Sequence, residues 1–148
     1  MKVPFLDLKA SIAEIQGALE NAMLVSARSG QFIGGDSLEF FEQEFQSFVD
    51  SDYCIGVANG LDALVLSLKV LGIGPGDEVI VPSNTFIATW LAVTQCGAVV
   101  VPVEPYAETY NINTSLIEAN ITDRTKAIIP VHLYGQPADL DEVLMIAK

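Results

Sequence analysis

The sequence is poor in basic residues, cysteine, histidine and tryptophan, and no apolar run in it is long enough to cross a bilayer. Seven Lys and Arg stand against nineteen Asp and Glu, a formal net charge of -12 at pH 7. Nucleic-acid binding depends on cations that neutralise phosphates, so that class is excluded. The same balance speaks against an anionic membrane surface. An anionic small molecule stays open, because a few main-chain amides can hold a phosphate without any cationic side chain. The two cysteines, Cys54 and Cys96, supply neither a disulfide framework nor a metal-ligand spacing. Both lie beside small apolar residues and read as buried, reduced thiols. No HExxH, P-loop or Ser/His/Asp order occurs, so neither a metal site nor hydrolytic chemistry is expected. The opening residues, Met1-Lys2-Val3-Pro4-Phe5-Leu6-Asp7, lack the apolar run of a signal peptide, and a cytoplasmic location is the default expectation.

What is present is apolar. Hydrophobic residues make up 51% of 148 residues, and the mean hydropathy is +0.42. This length can bury a real core. The surplus of apolar residues is high for a free-standing domain, and part of it is expected to face a partner or further chain.

The pattern divides near residue 52. Residues 8–25 carry Ile12, Ile15, Leu19, Ala22 and Met23 at helical spacing, predicting a helix with one buried stripe. After a glycine-punctuated loop, residues 37–49 predict a second helix, with Leu38, Phe41, Phe45 and Phe48 as ordinary core. From residue 53 the pattern alternates. Strands are predicted at 53–58, 79–82, 99–101 and 126–131; helices at 61–71, 86–94, from Thr114 or Ser115 to about 120, and 139–148. Continuous Val/Ile runs mean strands covered on both faces, and short strand–helix alternation means a parallel sheet in an α/β layer fold. The sequence ends inside the last helix, although each earlier helix is followed by a strand; a fragment of a longer domain is therefore expected.

Ligands of open α/β sheets gather beyond the carboxyl ends of the strands. Three places qualify. At Ala58-Asn59-Gly60-Leu61-Asp62-Ala63 a strand runs through a glycine into a helix. The first amides, Gly60, Leu61 and Asp62, would face outward with the positive end of the helix dipole, an arrangement suited to phosphate. The plainer reading is a capped turn with Asn59 as N-cap. At Val81-Pro82-Ser83-Asn84-Thr85-Phe86, Phe86 could stack on a flat ring or be simple core. At Pro130-Val131-His132-Leu133-Tyr134-Gly135-Gln136-Pro137, the single histidine, His132, reads as a catalytic group or as a hydrogen-bonded scaffold residue. The Gly72, Gly74 and Gly76 cluster follows a helix and precedes a strand, so it is a turn and not a dinucleotide fingerprint.

Taken together, these stretches resemble the DegT/DnrJ/EryC1/StrS sugar aminotransferases, fold-type I proteins using pyridoxal 5'-phosphate (PLP). The resemblance runs in order through Val3-Pro4-Phe5-Leu6-Asp7-Leu8, Ser29-Gly30-Gln31-Phe32-Ile33-Gly34-Gly35 and Val57-Ala58-Asn59-Gly60-Leu61-Asp62-Ala63-Leu64. It continues through Gly72-Ile73-Gly74-Pro75-Gly76-Asp77, Asn84-Thr85-Phe86-Ile87-Ala88, Tyr110-Asn111-Ile112-Asn113 and Val131-His132-Leu133-Tyr134-Gly135-Gln136-Pro137. The Asn-Gly-Leu-Asp-Ala-Leu form, with Tyr-Asn-Ile-Asn, is similar to members that aminate C3 of a dTDP-linked keto-sugar.

The resemblance implies the amino-terminal part of an aspartate aminotransferase-like PLP domain, with a mostly parallel sheet and flanking helices. Residues 1–52 would be an amino-terminal helical segment and substrate loop, and residues 53–148 the first part of the large PLP-binding domain. It further implies that Gly60 and Leu61 hold the cofactor phosphate through their main chain and that Phe86 stacks on the pyridine ring. Gln31, Phe32, Ile33 and Phe5 would line the sugar-nucleotide pocket, against a second subunit of a homodimer. The implied reaction moves an amino group from glutamate to a nucleotide-linked keto-sugar. The family's Schiff-base lysine and the aspartate that pairs with the pyridine nitrogen lie beyond the stretch matched by Lys148. Lys2, Lys9, Lys69, Lys126 and Lys148 do not stand at the expected place, so no catalytic residue is assigned and the 148 residues alone are expected to be inactive. A family dehydratase, with histidine for that lysine, and a non-catalytic binding module are the alternatives.

Overall fold

The computed structural model describes residues 3–4 and 6–148, and divides the chain into two compact units, Met1–Gly56 and Val57–Lys148. Phe5 lies outside the described residues.

The first unit holds two helices. Helix α1 (Leu8–Ser29) starts where the Asp7 carboxylate accepts from the Ala10 amide at 3.2 Å, and stops where Gly30 turns left-handed at φ 69°. Both are ordinary boundary devices: a carboxylate satisfies an unpaired first-turn amide, and glycine enters the left-handed region without a Cβ penalty. Helix α2 (Asp36–Phe48) carries Asp36 and Glu39 in its first turn, where negative charge meets the helix dipole favourably. Phe41 and Phe45 stack at 5.7 Å, and Phe45 lies 6.4 Å from Phe48. Neither helix contains a buried residue. The stripe expected to be buried on α1 and the phenylalanines expected as core on α2 are exposed instead. The periodicity identified the helices correctly, but two helices cannot enclose their own apolar faces.

The second unit is a three-stranded parallel sheet in the order β2-β1-β3, with β1 at Glu78–Pro82, β2 at Val99–Val103 and β3 at Thr125–Ile128. All five residues of β1 are buried: the apolar Val79–Val81 run lies between two covered faces, and Glu78 at its start is paired with Arg124. Alternate side chains go to opposite sides. Val79 and Val81 meet helices α3 (Gly60–Val70) and α4 (Ala88–Gln95) through Val65, Leu68, Ala92, Val93 and Cys96. Ile80 enters a second cluster with Val103, Ile112, Ile117 and Val143, the last on α5 (Leu140–Ile146). Burying a side chain such as Ile80 contributes roughly 1.5–3 kcal/mol before packing is considered.

Three expected elements differ. Residues 53–58 form no strand: Tyr53, Ile55 and Val57 are exposed and pair with nothing among the described residues. Alternation marks a chain suited to a ladder, but a ladder also needs a neighbour. The helix expected at 114–120 is two 3-10 turns, Thr114–Leu116 and Glu118–Asn120. There the Asn113 carboxamide accepts from the amide and hydroxyl of Ser115, and the Asn120 side chain donates to the Leu116 carbonyl. Such side-chain bonds compete with helix hydrogen bonding. Strand β3 stops at Ile128 rather than 131, although the Ile129 amide still donates to the Ile80 carbonyl; Pro130 has no amide to continue the ladder. Of the two thiols, Cys96 is buried and Cys54 only partly so.

Candidate cofactor and substrate site

Helix α3 precedes β1, so its last turn delivers the chain to the amino end of that strand. Gly72 and Ile73 close it, donating to the carbonyls of Lys69 and Leu68. The 11 residues of α3 rise about 16 Å and the five of β1 about 17 Å. With Val65 and Leu68 packed in one cluster with Val79 and Val81, a helix and strand of matching length run back to back, which directs the amino terminus of α3 toward the carboxyl side of the sheet. The turn after β1 carries Phe86 at that same end, because α4 must start there.

At the head of α3, Asn59 is the N-cap, and its side-chain oxygen accepts from the Asp62 amide at 2.9 Å. Its side-chain NH2 donates to the Asp62 carboxylate at 3.1 Å. Of the three amides that the sequence offers an anion, Asp62's is thus already taken. Those of Gly60 and Leu61 have no acceptor in the first turn of a helix. A Cβ built on Gly60 would meet nothing within 4 Å, so the chain is uncrowded on that side of the first turn. The capped turn and the anion seat are therefore compatible readings of one motif.

The turn after β1 is tied down on both sides. The Ser83 amide donates to the Val103 carbonyl at 2.9 Å, and the Trp90 indole donates to the Pro82 carbonyl at 3.2 Å. Phe86 precedes α4 rather than opening it, and is 80% exposed. It is not core. In the same turn Asn84 Oδ1 and Thr85 Oγ1 are buried with no partner among the described residues. Buried polar atoms are normally satisfied, so the bonding of this turn is incomplete among the described residues. A phosphate-bearing flat ring fits what is present: two first-turn amides without helical acceptors for the anion, and an exposed aromatic face.

His132 is held by its neighbourhood, its Nδ1 accepting from the Ala138 amide at 2.8 Å. In the neutral ring that bond places the proton on Nε2. Sequence reasoning assigned no role to Asn111, which is 4% exposed and ties this loop to the one after β2. Its NH2 donates to the carbonyls of Gln136 and Pro137, both at 3.0 Å, and its Oδ1 accepts from the Leu133 amide at 2.9 Å. No local sequence signal marked it, because its partners lie more than 20 positions away.

Gln31, Phe32 and Ile33 lie in the first unit, between α1 and α2, and all three are exposed. The Ser29 hydroxyl accepts from the Gln31 amide, and Gly35, at φ 86°, leaves room for the Gln31 side chain, which would clash with any Cβ there. Among the described residues no group of three or more His, Cys, Asp or Glu could hold a metal, and no helix is long and apolar enough to cross a membrane.

The sequence profile of the DegT/DnrJ/EryC1/StrS aminotransferase family matches residues 13–148. The chain belongs to this family. It is 50% identical over 146 residues to dTDP-3-amino-3,4,6-trideoxy-alpha-D-glucose transaminase of Streptomyces venezuelae, which covers 99% of the chain and 38% of that relative. The crystal structure of DesV from S. venezuelae superposes with a TM-score of 0.93 at 50% identity, covering 99% of the chain and 39% of DesV. The putative sugar aminotransferase Spr1654 from Streptococcus pneumoniae, solved in its PLP form, matches at 32% identity and a TM-score of 0.82, over 99% of the chain and 36% of its own. The chain thus spans about two fifths of the length of these family members. The fold is the amino-terminal part of a fold-type I domain.

Proposed function

We propose that this chain supplies the phosphate seat, the ring-stacking face and one wall of the sugar pocket of a PLP-dependent aminotransferase. The enzyme transfers an amino group from glutamate to a nucleotide-linked keto-sugar and works as a homodimer. The observation that carries the reading is the first turn of α3, where the Gly60 and Leu61 amides have no helical acceptor, together with the exposed ring of Phe86 in the turn after β1. When bound, pyridoxal phosphate supplies an electron sink and carries nitrogen between two half-reactions. The residues of this chain bind and orient it. The Gly60 and Leu61 amides donate to the phosphate, aided by the α3 dipole. Phe86 covers one face of the pyridine ring and excludes water from it. The Asn59–Asp62 bonds hold the head of α3 in shape and keep the Asp62 carboxylate engaged. Gln31, Phe32 and Ile33, exposed between α1 and α2, offer a surface to the sugar nucleotide.

The test compares pyridoxal phosphate with pyridoxal, which lacks the phosphate, on the protein at its full encoded length. Charge-assisted bonds to two amides predict a preference of about a hundredfold or more for the phosphorylated form. Equal affinities would remove the phosphate seat and the assignment with it.

A further inference from the structure

Tyr110 and Tyr134 share three unusual features. Both are non-glycine residues in the left-handed region, at φ 61° and 53°. Their rings meet edge to face, 5.8 Å apart and at 90°. Both are exposed, at 53% and 81%. A bulky side chain at positive φ persists only where the surroundings enforce it, and such backbone outliers gather at ligand sites.

The enforcing bonds lie in the loops that carry the two tyrosines. Asn111 ties the loop after β2 to the loop after β3 through Leu133, Gln136 and Pro137. The Asn84 side chain donates to the Tyr110 carbonyl at 3.0 Å, joining the turn after β1. All three strands therefore contribute to one rigid platform at their carboxyl ends, and the platform presents two aromatic rings outward. Asn84 stands two residues before Phe86.

We propose that Tyr110 and Tyr134 form an aromatic corner that takes the hexose ring of the nucleotide-linked substrate, with Asn111 as its positioning residue. This rests on the functional reading above. The apolar C–H face of a pyranose lies well on an aromatic ring, and it is the ring rather than the phenol hydroxyl that supplies the contact. The hexose, rather than the nucleoside, belongs here because the reacting carbon must come to the cofactor, and the corner is bonded to the turn that carries the cofactor-stacking ring.

The experiment uses the PLP-loaded protein at its full encoded length, titrated calorimetrically with dTDP-glucose and, separately, with dTDP. Tyr134→Ala is expected to weaken dTDP-glucose by about tenfold while dTDP stays within about twofold of wild type. Tyr134→Phe, which keeps the ring, retains the affinity. Asn111→Ala is expected to reproduce the selective loss with the absorbance of bound cofactor unchanged. Equal losses for both ligands, or none for either, would overturn the hexose assignment. A lowered melting temperature of Tyr134→Ala with unchanged binding would show that protein covers the corner, and would overturn it too. If Asn111→Ala loses cofactor, dTDP and dTDP-glucose together, Asn111 is merely structural. A wild type that takes up no cofactor defeats the functional reading itself, before any variant is compared.

Discussion

Gly60 and Asn59 are adjacent, yet the structure gives them opposite sensitivities. Gly60 is the first residue of α3, its φ lies outside the left-handed range, and a methyl group there meets nothing. Gly60→Ala should therefore leave folding unchanged or raise stability by up to about 1 kcal/mol, through reduced freedom of the unfolded chain. In the proposed seat a methyl on Gly60 would crowd a phosphate bound at its amide, so cofactor affinity should fall by about tenfold or more. A melting curve and a cofactor titration on one variant separate the two effects; a variant that melts higher and binds equally well would show that the amides are not the seat. Asn59→Ala removes the cap and should cost about 1 kcal/mol, read as a lowered melting temperature. Both positions were legible in the sequence, because a glycine between a cap residue and an apolar helix has few interpretations. Asn111 was not. Its importance comes from three carbonyl and amide partners at residues 133–137, more than 20 positions away, and no local pattern announces such pairings.

At the scale of elements, β1 and α1 illustrate what periodicity conveys. The Val-Ile-Val run of β1 announced a strand covered on both faces, and each of its residues is buried. The apolar stripe of α1 announced a helix, which is present, and a buried face, which is not. Residues 53–58 show the same limit: their alternation reads as a strand, and the partner that would make it one is not among the described residues. Pattern reports what a segment is suited to; coverage depends on what else is there to pack. Two substitutions measure the difference. Ile80→Ala, at a side chain with no exposed surface, should destabilise the second unit by about 3 kcal/mol through lost burial and an uncollapsed cavity. Ile15→Ser on the exposed face of α1 should change stability by less than about 0.5 kcal/mol in the 148-residue chain. Chemical denaturation of both variants gives the comparison; a large loss at Ile15 would mean that α1 is covered in solution.

For the molecule as a whole, the exposed apolar residues decide behaviour in water. Ile12, Ile15, Leu19 and Met23 on α1, Phe41, Phe45 and Phe48 on α2, and Leu66, Val70 and Leu71 at α3 are exposed in rows rather than scattered singly. Contiguous apolar surface of this kind is uncommon on stable monomers and marks places where other protein packs. The net charge of -12 opposes association through mutual repulsion, which salt screens within about 8 Å at physiological ionic strength. Attraction between apolar faces is not screened. The 148-residue chain should therefore associate increasingly with concentration, and more strongly when salt is raised, the opposite of an assembly held by ion pairs. Sedimentation velocity across a dilution series at low and high salt tests this directly. Monomers throughout would mean that the apolar faces are covered within a single chain, contrary to the exposure found for α1 and α2.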